Sequence, residues 1–64
     1  MPPEKGDVYI EFVAQGAFVK VTAIDPKTGV EASVMGPSGA SRAALGAAAV
    51  RKLKYVQEKK SGGA

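Results

Sequence analysis

Two strands and a tight turn are predicted by residues 17–35, AFVKVTAIDPKTGVEASVM. Residues 17–24 and residues 30–35 alternate apolar with other side chains, as half-buried strands do. The segment DPKTG between them is a turn signal, since proline presets φ and the final glycine, Gly29, tolerates positive φ. We therefore predict an antiparallel hairpin that carries its core side chains on one face: Val19, Val21, Ala23, Val30, Ala32 and Val34.

A third strand is predicted before this hairpin. Residues 8–14, VYIEFVA, are rich in β-branched and aromatic side chains, and they place Val8, Ile10 and Phe12 on one face. The Gln15-Gly16 pair that follows is a tight-turn signal. Two consecutive hairpins predict a three-stranded antiparallel meander.

The segment after the meander predicts one helix. Pro37 and Gly39 end the third strand, and either Ser38 or Ser41 is placed to cap the helix N-terminus. From Ala40 to about residue 59 alanine predominates, and the apolar stripe consists of Leu45, Ala49, Leu53 and Val56. The predicted fold class is α+β, a βββα domain with the helix packed on one face of the sheet.

The length of 64 residues allows one domain, which we assign to residues 7–60, with flexible ends at residues 1–6 and 61–64. The chain has no cysteine and no histidine, which excludes disulfides and ordinary zinc sites. No run approaches the roughly 18 apolar residues of a membrane span, and the N-terminal residues lack a secretory pattern. We expect a soluble cytoplasmic protein without cofactors.

The sheet face opposite the helix is predicted to be uncovered. Half of its ten side chains are aliphatic, aromatic or thioether groups: Tyr9, Val13, Phe18, Ile24 and Met35. An exposed apolar patch rimmed by charge is typical of a contact surface. The alternative is that these are the scattered apolar residues that open antiparallel sheets often expose. Because the core of so short a chain is thin, we favour a protein-contact surface.

Basic residues are concentrated in the predicted helix. The net charge is +3, and the cations of this region are Arg42, Arg51, Lys52, Lys54, Lys59 and Lys60. Such a cluster is either a phosphate-binding surface for nucleic acid or a solvated helix end in which cations complement the helix dipole. The second interpretation is the commoner one, so nucleic-acid contact is the alternative function.

No catalytic arrangement is predicted. The segment GPSGAS resembles the start of a phosphate-binding P-loop, but Ser41 and Arg42 stand where the motif needs its second glycine and its lysine. Glu11 and Glu31 share the open face with Lys20, where cross-strand ion pairs are expected rather than an acid/base pair. We therefore expect a protein that is not an enzyme.

The sequence resembles two families. GDVYIEFV, VKVTAIDPKTGVEASVMGPSGAS and AVRKLKYV are similar to a family of short, functionally uncharacterised alphaproteobacterial proteins, some labelled serine hydroxymethyltransferase. The resemblance implies a compact module with no assigned activity, and so short a chain has no room for a pyridoxal-phosphate fold. GPSGASRAALGAAAVRKL resembles the C-terminal part of double-stranded RNA-binding domains. That family implies several lysines at the helix start, where this chain has Arg42 alone.

These observations predict a small non-enzymatic interaction module. Its partner is expected to be a second copy or a larger protein, docked on the open sheet face. Binding of nucleic acid by the basic helix is the alternative, and no membrane or metal is expected as a partner.

Overall fold

The computed structural model describes residues 8–62 and contains three strands and one helix. In chain order these are β1 (Tyr9–Gln15), β2 (Phe18–Ile24), β3 (Glu31–Pro37) and α1 (Arg42–Gly62). The strands form one antiparallel sheet in the order β1-β2-β3. The predicted βββα fold is confirmed. The predictions for residues 1–7 and for the last two residues concern parts of the chain outside the described range.

The first hairpin turns at Gly16 and Ala17, one residue later than predicted. Gln15 pairs with Phe18, which leaves a two-residue loop between the strands. Gly16 has a φ of 63°, the left-handed conformation that a type II′ turn requires at its first central position. A two-residue turn of this kind matches the twist of the paired strands and sets their register.

The second turn is held by backbone and side-chain hydrogen bonds around Asp25. Its carboxylate Oδ1 accepts a hydrogen bond of 2.8 Å from the Lys27 amide, and its carbonyl accepts one of 2.8 Å from the Gly29 amide. Gly29 has a φ of 77°, as the DPKTG pattern predicts. Thr28 Oγ1 accepts a hydrogen bond from the Val30 amide, so the turn leads directly into β3.

The helix begins at Arg42, two residues later than predicted, because Ser41 caps it. Ser41 Oγ accepts a hydrogen bond of 3.2 Å from the Ala44 amide, one of the donors that an α-helix leaves without an internal partner. Of the two serines predicted as possible caps, Ser38 and Ser41, the structure therefore has Ser41 in this role. The helix ends at Gly62, beyond the predicted end near residue 59.

The core lies between α1 and the two strands β2 and β3. Its buried apolar side chains are Val19, Val21, Ala23, Ala32, Ala49 and Leu53. The helix packs on β2 and β3, so β1 lies beside it rather than beneath it. Ile10 was predicted to be part of the core but is 38% exposed, and Phe12 is only half-buried. A helix is about 10 Å wide and strands lie about 4.8 Å apart, so one helix covers two strands.

Three long-range contacts hold α1 on the β3 side of the sheet. Gly36 lies so close to the helix that a Cβ there would be 2.6 Å from Leu45 Cδ2. Lys52 Nζ donates a hydrogen bond of 2.8 Å to the Ser33 carbonyl, and Thr28 Oγ1 donates one of 3.2 Å to Gln57 Oε1. All three join the helix to β3 or to the turn before it. None of them involves β1.

The positive φ of Gly29 makes it the residue of the second turn that is most sensitive to substitution. Gly29→Val should lower the free energy of unfolding by about 1 kcal/mol or more, because a β-branched residue is strained at this φ. Thermal melts followed by circular dichroism measure the effect. Gly39→Val is the control, since Gly39 lacks a positive φ and a Cβ there meets no atom within 4 Å. Equal loss in both variants would contradict the assigned role of Gly29.

The Asp25 carboxylate should make stability depend on pH. The backbone amide of Lys27 holds the pKa of Asp25 below its ordinary value of 3.8, and a hydrogen bond from the Gln57 side chain adds to this effect. Because the pKa is lower in the folded state, the contribution is complete above the unfolded value and is lost as pH falls through the folded one. Asp25→Asn keeps an oxygen acceptor for the turn but does not titrate.

Melting temperatures should therefore fall more steeply for the wild type than for Asp25→Asn as the pH falls below about 4. The other carboxyl groups are common to both proteins and cancel in the comparison. Parallel curves would show that the folded turn does not favour the charged carboxylate.

Candidate interaction surfaces

The open face of the sheet carries four rows of side chains, one from each strand in every row. Val13, Lys20 and Met35 lie opposite one another, and the neighbouring row holds Gln15, Phe18 and Pro37. The apolar side chains here are well exposed, with Val13 at 46%, Phe18 at 52% and Met35 at 55%. We call these three residues the hairpin-end patch, because they lie at the end of the sheet that holds the first hairpin turn.

The other two predicted contact residues lie at the opposite end of this face. Tyr9 pairs with Ile24, two rows away from Lys20. Between the two ends lies the row of Glu11, Thr22 and Ser33, in which the Thr22 and Ser33 hydroxyls share a hydrogen bond of 2.9 Å. The five predicted residues therefore share one face but form two groups with a polar row between them.

The carboxylates of the open face do not lie directly opposite Lys20. Glu11 pairs with Thr22, and Glu31 pairs with Ile24. The register therefore places Glu11 diagonally to Lys20 and Glu31 two rows away from it. Neither carboxylate is in the directly opposed cross-strand pair with Lys20 that the sequence predicts. The face carries separate charges of both signs.

A groove on the helix side of the sheet was not predicted from the sequence. It lies between β1 and α1, has a volume of about 670 Å³ and is lined by the following residues: Ile10, Phe12, Arg42, Ala43, Gly46, Ala47, Val50, Arg51 and Lys54. We call it the β1–α1 groove. Its apolar lining comes from the side chains that α1 leaves uncovered on β1 and from the facing side of the helix. Gly46 is a buried residue of the groove lining. It is the one residue between Ala40 and residue 59 that disfavours a helix.

The cations predicted to contact nucleic acid are divided among several places. Arg42, Arg51 and Lys54 line the groove, and the Arg42 guanidinium lies 5.2 Å from the centroid of the Phe12 ring. Lys52 points to the opposite side of the helix, where it binds the Ser33 carbonyl at the edge of β3. Lys59 lies over the Tyr55 ring at 5.6 Å from its centroid. The side chain of Lys60 is outside the described part.

The five described cations therefore do not share one surface. Three of them line the groove, whereas Lys52 binds the Ser33 carbonyl and Lys59 lies against an aromatic ring on the same helix. Binding of nucleic acid through all six residues stays a prediction, and the groove cations are the only group of three that the described residues bring together.

Groups suited to other functions are few within residues 8–62. No three side chains of the types that bind metals lie close enough to hold an ion, and no helix is long and apolar enough to cross a membrane. The Asp25 carboxylate, whose pKa is lowered mainly by the backbone amide of Lys27, already accepts hydrogen bonds within its own turn. Its role in the structure is to order the second hairpin.

Comparison with known families places the chain in one of them. A family model described as a domain of unknown function (DUF6898) matches residues 5–60, which include all three strands and nearly all of α1. The chain belongs to this family. The match confirms the predicted membership in a family without an assigned activity. Comparison with curated proteins and with solved structures gives no significant match.

Substitution by alanine should have opposite effects on stability at two glycines that face packed side chains, Gly46 and Gly36. A Cβ at Gly46 would lie 3.9 Å from Ile10 Cδ1 and from Phe12 Cζ, which is ordinary contact. Gly46→Ala should therefore raise the free energy of unfolding by about 1 kcal/mol through helix propensity. Gly36→Ala should lower it by about 1–3 kcal/mol, because the new methyl group would overlap Leu45.

Urea denaturation of both variants measures these changes. Each adds the same single methyl group, so each is the control for the other. Destabilisation by Gly46→Ala would mean that α1 lies closer to β1 than described and that the groove is narrower.

Proposed function

We propose that this domain is a small non-enzymatic interaction module that self-associates through the open face of its sheet. The observation that supports the proposal is the hairpin-end patch, in which Val13, Phe18 and Met35 lie close together and remain about half exposed. The chain buries few apolar side chains. Removing the exposed apolar surface of this face from water in a protein contact would therefore be a substantial gain in free energy for so small a domain.

A second copy is the occupant that best matches this face. The four rows have apolar groups at both ends and a polar row between them, and the face carries both Lys20 and the two carboxylates. A two-fold axis across the strands, between the two middle rows, lays Phe18 of one copy over Ile24 of the other. The same axis places Lys20 over the row that holds Glu11. Val13 and Met35 then lie over Glu11 and Ser33, so the fit of the face to a second copy rests on the two Phe18–Ile24 contacts and on the separation of the two Lys20 side chains, in an isologous arrangement.

The expected affinity is low because the face is small. Three strands of seven residues form a surface of roughly 23 Å by 14 Å, which is less than a standard stable interface buries on each partner. We therefore expect a dimer with a dissociation constant on the order of 10⁻⁴ M. A larger protein with a matching face would bind at the same surface.

Sedimentation equilibrium up to about 1 mM protein tests the proposal, since a dimer of this affinity is then well populated. The wild type should dimerise, and Phe18→Glu/Met35→Glu should be monomeric with an unchanged circular dichroism spectrum. Tyr55→Glu is the matched control, because Tyr55 is 60% exposed on the helix, away from this face. A monomeric wild type, or equal dimerisation of the double variant, would overturn the proposal.

The two-fold arrangement has a test of its own. Phe18→Glu and Ile24→Lys should each weaken dimerisation when studied alone. An equimolar mixture should restore it, because each mixed dimer has one Glu–Lys contact and one native Phe–Ile contact. If the mixture stays monomeric while the wild type dimerises, the copies associate in another geometry.

A further inference from the structure

We infer that the β1–α1 groove binds an amphipathic helix with acidic flanks, supplied by another protein. This surface is on the opposite side of the sheet from the hairpin-end patch. The inference goes beyond self-association and does not depend on it. Its basis is the combination of a partly covered strand, an apolar groove and three cations among the lining residues.

The groove has the position of a second helix. One helix about 10 Å wide covers two strands, and α1 already lies over β2 and β3. On the helix-facing side of β1, α1 comes near at Gly46 but leaves Ile10 38% exposed and Phe12 half-buried. A helix laid along α1 would cover both side chains and complete the second layer of the domain.

The lining allows a helix to approach closely. On the α1 side the apolar residues are small, with Ala43, Gly46 and Ala47 near the N-terminal half and Val50 further along. Ala43 and Ala47 are exposed, so the groove is open to solvent along this wall. A small molecule needs a cavity that encloses most of its surface, whereas a helix seated in a groove keeps its polar side in water.

Charge determines which helix fits. The three charged residues that line the groove are all cations: Arg42, Arg51 and Lys54. From the first to the last they span twelve helical positions, or roughly 18 Å of α1. A partner helix of about three turns with Asp or Glu on its flanks would meet opposite charge near both ends of the groove. A second copy docked groove to groove would bring like charges together, so the groove favours an acidic partner over self-association.

The test uses a fluorescein-labelled peptide of about 16 residues with leucines at i, i+3, i+4 and i+7 and glutamates on both flanks. The matched peptide has lysine in place of every glutamate. Fluorescence anisotropy should show binding of the acidic peptide that weakens between about 50 and 300 mM salt, because the rim charges are exposed. The lysine peptide should bind at least about tenfold more weakly.

Two sets of variants separate the groove from net charge. Arg51→Glu/Lys54→Glu should weaken binding of the acidic peptide at least about tenfold. Lys27→Glu/Lys59→Glu makes the same change in net charge at two exposed residues outside the groove, and should have a much smaller effect. Gly46→Leu keeps all cations and fills the groove, so it should also abolish peptide binding. Circular dichroism checks that each variant remains folded.

Several results would overturn the inference. These are absence of binding by the acidic peptide, equal binding of both peptides, equal loss in the two charge variants, or full binding by Gly46→Leu. Displacement of the peptide by poly(U) RNA, combined with unchanged RNA binding in Gly46→Leu, would instead identify the cations as a nucleic-acid surface. The Phe18→Glu/Met35→Glu variant should bind the peptide with unchanged affinity. The outcome for the groove is therefore independent of whether copies associate.

Discussion

The structure depends on one geometric constraint, which is that a single helix covers only two of three strands. The buried apolar side chains of β2 and β3 meet α1, whereas β1 contributes only partly buried residues such as Phe12. Both the compact core and the open groove follow from this placement. If α1 were centred on the sheet, the two outer strands would share its cover equally, and the groove beside β1 would be much shallower.

Polar contacts and one close approach hold α1 toward β3. Near its start, Leu45 packs against the bare backbone of Gly36, and further along Lys52 donates to the Ser33 carbonyl. Near its C-terminal end, Gln57 accepts a hydrogen bond from Thr28. The core of valine, alanine and leucine side chains is small, so these contacts, which include two exposed hydrogen bonds, add to the packing that sets where the helix lies. The Lys52 contact also satisfies a carbonyl at the outer edge of β3, which helps protect that edge from pairing with other chains.

The placement of α1 gives the two sides of the sheet different chemistry. The open face carries charges of both signs and apolar groups at both ends, which makes it suited to a copy of itself. The groove side carries only cations on its rim, which makes it suited to an acidic partner. β1 belongs to both surfaces, since Val13 lies on one and Ile10 on the other. It is also an edge strand that is exposed along most of its length.

The sequence by itself determined the order and the approximate bounds of the strands, the turns and the helix. These elements depend on local signals, which are the alternation of apolar side chains, the glycine of the turn and the serine of the helix cap. Each acts over a few neighbouring residues, so it can be recognised without knowledge of the tertiary structure. The tertiary structure alone decided that the open-face residues form two groups, because this depends on the register that pairs Glu11 with Thr22. It alone also decided that Arg42, Arg51 and Lys54 line a groove while Lys52 binds β3. The lateral position of a helix on a sheet is set by contacts such as Thr28 with Gln57, 29 residues apart. No local pattern in the sequence records such a contact.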